Sequence, residues 1–402
     1  MSYVRIQPSS LNGEITLPPS KSAAHRALIC SFLAGGGIVN GITSSEDMKA
    51  TVNALSALRN GYGEVDCIES GSTLRFMLPV AAALGRSVTF IGRGKLPERP
   101  VGEYLRLFPE HGVKCEYGGA LPLKISGKLK AGRYELAGDV SSQYVTGLLL
   151  ALPLLESDSE IILTSPLQSK PYADMTLRVM RDYGVEAVET ENGYFIKGNQ
   201  LYKKTDYTVE SDWSQACFFL TGGALTGNVT LKGLDLNSVQ GDREIINILR
   251  RFGADITEKG NSVTVGKSSL HGIEIDCTDI PDTVPALAVA AAYAKGETVI
   301  KGAQRLRIKE SDRIESVVSN LNKMGVKAHE TPDGMIISGG QPKGAKLDGF
   351  NDHRIVMAFS IAALAAEGES EISYAQSINK SYPNFFDDYS LLGGKADVIS
   401  DR

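Results

Sequence analysis

Lys21, Ser22 and Arg26 stand at the start of PPSKSAAHRALICSFLAGGG (residues 18–37), a stretch patterned as a turn followed directly by a helix. Pro18 and Pro19 end whatever precedes, Ser20 or Ser22 can cap, Ala27, Leu28 and Phe32 form an apolar stripe, and Gly35 closes the segment. The unpaired N–H groups of a helix start already favour an anion. A lysine, a hydroxyl and an arginine added there make a receptor for carboxylate or phosphate. Solvated charges on an ordinary first turn are the plainer alternative, but cations are disfavoured at that end unless an anion joins them.

The same device recurs. Gly71, Ser72 and Thr73 precede an apolar stretch with Arg75 on its first turn; Ser141, Ser142 and Gln143 open another; Ser169 and Lys170 open a third, with Pro171 suited to the first helical position. Asp212, Asp282 and Asp352 are candidate caps of three more. One such start is ordinary capping, whereas several that carry basic or hydroxyl side chains read as parts of one site for a small polyanion.

A repeat must position these starts. FPEHGVKCEYGGALPLKISG, MRDYGVEAVETENGYFIKG, LRRFGADITEKGNSVTVGK and LNKMGVKAHETPDGMIISG share a helix end, a glycine and two short strands about a turn. Their glycines, Gly112, Gly184, Gly253 and Gly325, lie 72, 69 and 72 positions apart. A further copy is expected at Gly394, cut short by the terminus, and a fainter one around Gly61 to Val65. The pattern predicts about six mixed units, each with helices beneath a small sheet. A chain of 402 residues can hold two such domains. The seams are expected near Leu11–Pro19 and Tyr207–Asp212, which gives 1–19 with 212–402 as one lobe and 20–211 as the other, with a small-molecule site in the cleft between them.

A net charge of −5 argues against a general nucleic-acid or anionic-membrane surface, so anion binding must come from local cations. No apolar run reaches membrane-spanning length uninterrupted, and the first residues, MSYVRIQPSS, lack a signal-peptide core. Cys30, Cys67, Cys115, Cys217 and Cys277 are scattered without a C-x-x-C pair, as reduced thiols of a cytoplasmic protein would be, and give no support to a metal site.

Ten ordered blocks carry a resemblance that runs nearly end to end: SKSAAHRAL (20–28), SGSTLRF (70–76), PERPVG (97–102), SSQYVTGLLLALPLL (141–155), SKPYADMT (169–176), VQGD (239–242), IPD (280–282), RIKESDR (307–313), NDHRIVMA (351–358) and KSYPNFF (380–386). The chain resembles the 5-enolpyruvylshikimate-3-phosphate (EPSP) synthase family. That resemblance implies an α/β (α+β) fold, a two-domain inside-out α/β barrel with three βαβαββ-type repeats per domain, closing on its ligands. It implies transfer of the enolpyruvyl group of phosphoenolpyruvate to the 5-hydroxyl of shikimate 3-phosphate, in the route to chorismate and the aromatic amino acids. The family needs no metal or organic cofactor and is inhibited by glyphosate at the phosphoenolpyruvate site. A monomer without nucleic-acid or membrane partners is expected.

By the same resemblance Lys21 touches both substrates, and Ser22 and Arg26 lie on the shikimate carboxylate side. Ser141, Ser142, Ser169 and Tyr172 hold shikimate 3-phosphate, largely by its phosphate, and Gln143 lies between the substrates. Gly71, Arg99, Arg313, Arg354 and Lys380 form the phosphoenolpyruvate pocket, and Arg75 supports its loop. Asp282 and Lys309 surround the shikimate hydroxyls, and Glu310 faces the reacting methylene carbon. His25, Pro19, Arg305 and Glu69 depart from residues frequent in the family (Asn, Gly, Asn and Asn) without removing a required charge.

The chemistry suits these residue types on its own terms. Two anionic substrates that must approach need fixed cations, and C–O bond formation needs a base for the hydroxyl and an acid for the enol carbon. Asp282 and Glu310, assisted by Lys21, are the candidates. Read alone, Asp282 is equally an N-cap, Lys309, Glu310 and Arg313 an exposed charge row, Arg99 a loop ion pair, and His353 a structural histidine. Two other functions stay open. A UDP-N-acetylglucosamine enolpyruvyl transferase carries a cysteine in its reactive loop, where this chain reads GRGKLPERP, and a non-catalytic repeat protein would bind polyanions without turnover.

Overall fold

Gly112, Gly184, Gly253 and Gly325 adopt φ of +83°, +73°, +101° and +80°, each just past a helix end, and each is followed by an antiparallel hairpin. At Gly325 the space around a Cβ is open, so the left-handed backbone alone selects glycine there. The computed structural model describes residues 2–400. These residues form five four-stranded sheets and one two-stranded sheet.

The four-stranded sheets share one order. A parallel pair is extended by a strand antiparallel to it and then by that strand's hairpin mate, as in Glu64–Asp66, Val88–Ile91, Leu123–Gly127 and Val113–Tyr117. The copy at Gly394 supplies only one hairpin strand, Lys395–Ser400. Its mate is the N-terminal strand Ser2–Gln7, paired from Ser2↔Ser400 to Gln7↔Lys395. The next strand, Asn12–Thr16, lies parallel to Asn228–Lys232. Chain beginning and chain end therefore complete sheets of the same unit.

The fainter copy forms no hairpin. Gly61 (φ +71°) ends its helix with N–H bonding to Ala57 and Leu58 carbonyls, and the chain then enters Glu64–Asp66, a strand of another sheet. Too few residues lie between for two strands. The sheet of that module keeps only Val39–Asn40, parallel to Tyr207–Thr208.

The chain divides into two units, 1–20 with 210–402, and 21–209. Their seams fall at 20/21 and 209/210, where the sequence reading put them at 19/20 and 211/212. The core of the first unit is built on helices Trp213–Thr226, Val284–Tyr293 and His353–Leu364, buried along nearly their whole length and packed on one another. Apolar side chains on every face leave such helices no position but the centre. In the second unit, helices Gly71–Ala83 and Ser142–Ala151 play that part. Each has a single residue that is not buried, and it stands in the first turn: Ser72 and Gln143. No described helix is long and apolar enough to cross a membrane.

Candidate active site

Within the second unit, three helices matter most: α1 (Lys21–Leu33), α2 (Glu46–Asn60) and α3 (Gly71–Ala83). Lys21 Nζ lies 2.7 Å from Asp47 Oδ2, each side chain 15% exposed. Asp47 was not among the sequence candidates. SSEDMKA opens α2 with Glu46 and Asp47 in its first turn, and that acidic start was the available signal.

Arg26 is turned inward. It donates to Thr176 Oγ1 (2.8 Å), Thr146 Oγ1 (3.2 Å) and the carbonyls of Ser22 (2.7 Å) and Tyr172 (2.9 Å), so it ties α1 to helices Ser142–Ala151 and Lys170–Asp182. Ser169, just before the latter helix, is buried in a left-handed conformation (φ 56°), and its carbonyl accepts from Tyr172 N–H.

A second network joins the remaining polar starts. Ser70 caps α3 by accepting from Thr73 N–H, and Ser141 caps the helix beginning at Ser142 by accepting from Gln143 N–H (3.3 Å). Gln143 donates to Ser72 Oγ (3.0 Å) and accepts from Arg75 Nη1 (2.7 Å). Arg75 also donates twice to Pro100 O, at 3.1 and 2.8 Å, and lies over the Tyr144 ring. It fastens the loop that carries Arg99. The Arg99 guanidinium rests against Gly71: a Cβ there would meet its Nη1 at 2.5 Å.

The first unit gathers Asp282, Lys309, Glu310, Arg313 and Arg354. Asp282 is not a cap, which corrects one sequence reading. It lies in the short turn Pro281–Thr283, with Oδ1 3.0 Å from Arg313 Nη1 and Oδ2 3.0 Å from Arg354 Nη2. Lys309 Nζ stands 3.7 Å from Asp282 Oδ1. Arg313 donates from Nη2 to Glu310 (2.7 Å) and from Nε to Asp352 (2.8 Å). Asp352 caps helix His353–Leu364 by accepting from Arg354 N–H, so a residue read as a cap alone also holds the central arginine. His353 is buried, with Nδ1 3.8 Å from Asp352. Lys380 Nζ donates to the carbonyl of Asn351 (2.7 Å), and Arg305 Nη2 to that of Thr278 (2.9 Å).

Four cations, Lys309, Arg313, Arg354 and Lys380, thus accompany three carboxylates. Burial works against the Asp282 carboxylate, but Arg354, Lys309 and Arg313 hold its pKa well below the usual range. Burial lowers Lys309 to about 8, against the opposing pull of Asp282. Arg313 is raised despite burial, by Asp352, Glu310 and Asp282. Cys30 and Cys67 are buried and their thiols pushed up by desolvation, so neither is a reactive thiolate.

A solved enolpyruvyl transferase shares this architecture. The enolpyruvyl transferase NikO from Streptomyces tendae shares the fold over 100% of this chain and 99% of its own, with a TM-score of 0.83 at 16% identity. More narrowly, the chain belongs to the EPSP synthase (3-phosphoshikimate 1-carboxyvinyltransferase) family, whose sequence profile matches residues 6–66 and 60–389. The 3-phosphoshikimate 1-carboxyvinyltransferase of Clostridium kluyveri is 45% identical over 427 aligned residues, covering 100% of this chain and 99% of the relative. That of Clostridioides difficile is 39% identical, with 99% of each covered. The EPSP synthase structure from Acinetobacter baumannii has a TM-score of 0.82 at 27% identity, each chain covered completely. The two matched ranges overlap at residues 60–66, which include Gly61.

Proposed function

We propose that the protein is a 3-phosphoshikimate 1-carboxyvinyltransferase, joining phosphoenolpyruvate to the 5-hydroxyl of shikimate 3-phosphate. The observation that carries this reading is the pairing of Asp282 and Glu310 on one buried guanidinium, Arg313. The reaction needs two carboxylates with fixed separation, set among cations that offset the charge of two anionic substrates. Lys21, Ser22, Arg26, Ser141, Ser142, Gln143, Ser169, Tyr172, Asp282 and Lys309 serve shikimate 3-phosphate in this proposal. Lys21, Gly71, Arg99, Gln143, Arg313, Arg354 and Lys380 serve phosphoenolpyruvate. Arg26 acts mainly by bracing that seat, since its donors already meet protein acceptors.

Asp282 is ionised before the reaction and orients the attacking hydroxyl by accepting its hydrogen bond. The hydroxyl oxygen bonds to C2 of phosphoenolpyruvate as its proton passes to Asp282 and Glu310 adds a proton to C3, giving a ketal phosphate with a new methyl group. Loss of phosphate from C2, taking up the proton held by Asp282, and return of one methyl proton to Glu310 restore the enol ether and the starting protonation of both carboxyl groups. Glu310, assisted by Lys21, handles the proton at that carbon. The loop 92–101 carries no cysteine, which supports this reading over the UDP-sugar transferase. With no side chain at Gly71 to exclude it, glyphosate is expected to inhibit at the phosphoenolpyruvate seat. A cytoplasmic monomer is expected, and unpaired cysteines, four of the five buried, accord with a reducing compartment.

A phosphate-release assay with each substrate omitted in turn tests the proposal. Release is expected only with both present; release with a UDP-amino sugar, or binding without turnover, refutes it. Glu310→Gln and Lys21→Ala are expected to lose most turnover, on the order of a hundredfold or more, while remaining folded.

A further inference from the structure

His25 has no part in the chemistry above, yet it is buried one helical turn beyond Lys21. Its Nδ1 lies 2.7 Å from Thr51 Oγ1, and Thr51 is one turn beyond Asp47 on α2. The Lys21–Asp47 pair and the His25–Thr51 pair are therefore successive rungs between the same two helices. Thr51 Oγ1 continues to Thr73 Oγ1 on α3 (2.7 Å), and Thr73 Oγ1 to Ser70 Oγ (2.8 Å), the cap of the helix that begins at Gly71.

The direction of this chain follows from its last link together with a count of protons. The Thr73 hydroxyl donates to Ser70, which also accepts the Thr73 N–H. Each hydroxyl has one proton, so Thr51 must donate to Thr73 and has none left for the imidazole. His25 Nδ1 must then carry the hydrogen. Nε2 is a buried lone pair that meets no hydrogen-bond partner among the described residues, and the ring lies edge-to-face with Phe76. Protonating it would bury an unpaired charged donor beside Lys21 and Arg26. Accordingly burial, then those two cations, hold the imidazole pKa well below its ordinary value.

We infer that His25 is a positioning residue: as the neutral Nδ1–H tautomer it drives a one-way hydroxyl chain, His25→Thr51→Thr73→Ser70, which keeps Lys21, Asp47 and the anion seat at Gly71 in register. The kinetic consequence rests on the proposed function; the tautomer does not. Asparagine suits the role because its Nδ2–H lies as many bonds from the backbone as Nδ1–H. Leucine fills the space without donating.

Two measurements test the inference. Nitrogen-15 NMR of histidine-labelled protein, with His25 assigned as the signal lost in His25→Asn, is expected to show a protonated Nδ1 and a bare Nε2, unchanged from pH 6 to 8. A protonated Nε2 overturns the chain direction whatever the protein's activity. In steady-state kinetics, His25→Asn and Thr51→Ser are expected to keep the KM for phosphoenolpyruvate within about threefold, while His25→Leu and Thr51→Val raise it about tenfold or more, with smaller changes in kcat. Equal behaviour of the asparagine and leucine variants, or of the serine and valine variants, overturns the positioning role. If His25→Leu does not fold, the Thr51 pair decides alone. Failure of the wild type to release phosphate from both substrates together refutes the proposed function and leaves the NMR result standing.

Discussion

Gly71→Ala probes the anion seat at the first residue of α3, where the backbone does not require glycine. The new methyl would sit 2.5 Å from Arg99 Nη1 and 2.8 Å from its Cζ, where ordinary contact begins at 3.4 Å. Arg75 Nη1 would lie at 3.0 Å as well, its guanidinium held by Gln143 and Pro100, so the Arg99 guanidinium retreats by roughly 1 Å while Arg75 gives by a few tenths of an ångström. No positive φ demands glycine at this first helical position, so alanine is compatible with the backbone of α3. The anion seat loses one charge-assisted hydrogen bond, about 1.5–3 kcal/mol, or on the order of 10- to 100-fold in affinity. Initial-rate kinetics should show that rise in KM for phosphoenolpyruvate, with KM for shikimate 3-phosphate changed far less and the melting temperature unchanged or higher. A KM for phosphoenolpyruvate within twofold of wild type, or a melting temperature several degrees lower, would refute the placement of Arg99 against Gly71.

Asp352→Ala removes the carboxylate chelating Arg313 and the cap of helix His353–Leu364, so urea unfolding should show a loss of about 3–5 kcal/mol; under about 1 kcal/mol would mean the pair contributes little. Lys309, lowered to about 8, is fully cationic only below that pH in the free enzyme. KM for shikimate 3-phosphate should therefore climb as pH passes 8, and Lys309→Arg should flatten the climb; a wild-type KM constant to pH 9.5 would count against its role. For stability the sign is opposite. Between about pH 8 and the ordinary lysine range the unfolded chain binds more protons, so the penalty of burying Lys309 is present below 8 and relieved as pH rises.

The repeat was legible because it is written locally. A glycine that must turn left-handed after a helix, followed by alternating strand residues, announces itself at Gly112, Gly184, Gly253 and Gly325. The missing hairpin after Gly61 was misread because the glycine signal was present and the strand residues were not. The helix starts were equally visible, since capping residues and basic side chains lie within one turn of each other. Asp47 escaped notice because an acidic first turn is normal helix chemistry, and only the approach of α2 to α1 gives it Lys21 as a partner.

The sequence by itself determined which residues could attract anions, where helices begin, and the period on which the modules are built, because propensity, capping and left-handed glycine are properties of a few adjacent residues. Tertiary structure alone decided which charges meet. Arg313 joins Asp282, Glu310 and Asp352 across 31, 3 and 39 positions of chain, and Asp282 gave up a cap for two arginines. It also oriented the hydroxyl chain from His25 to Ser70, through residues on three helices. Coulomb attraction and proton counting act on distance in space, which is settled only once the apolar helices have packed.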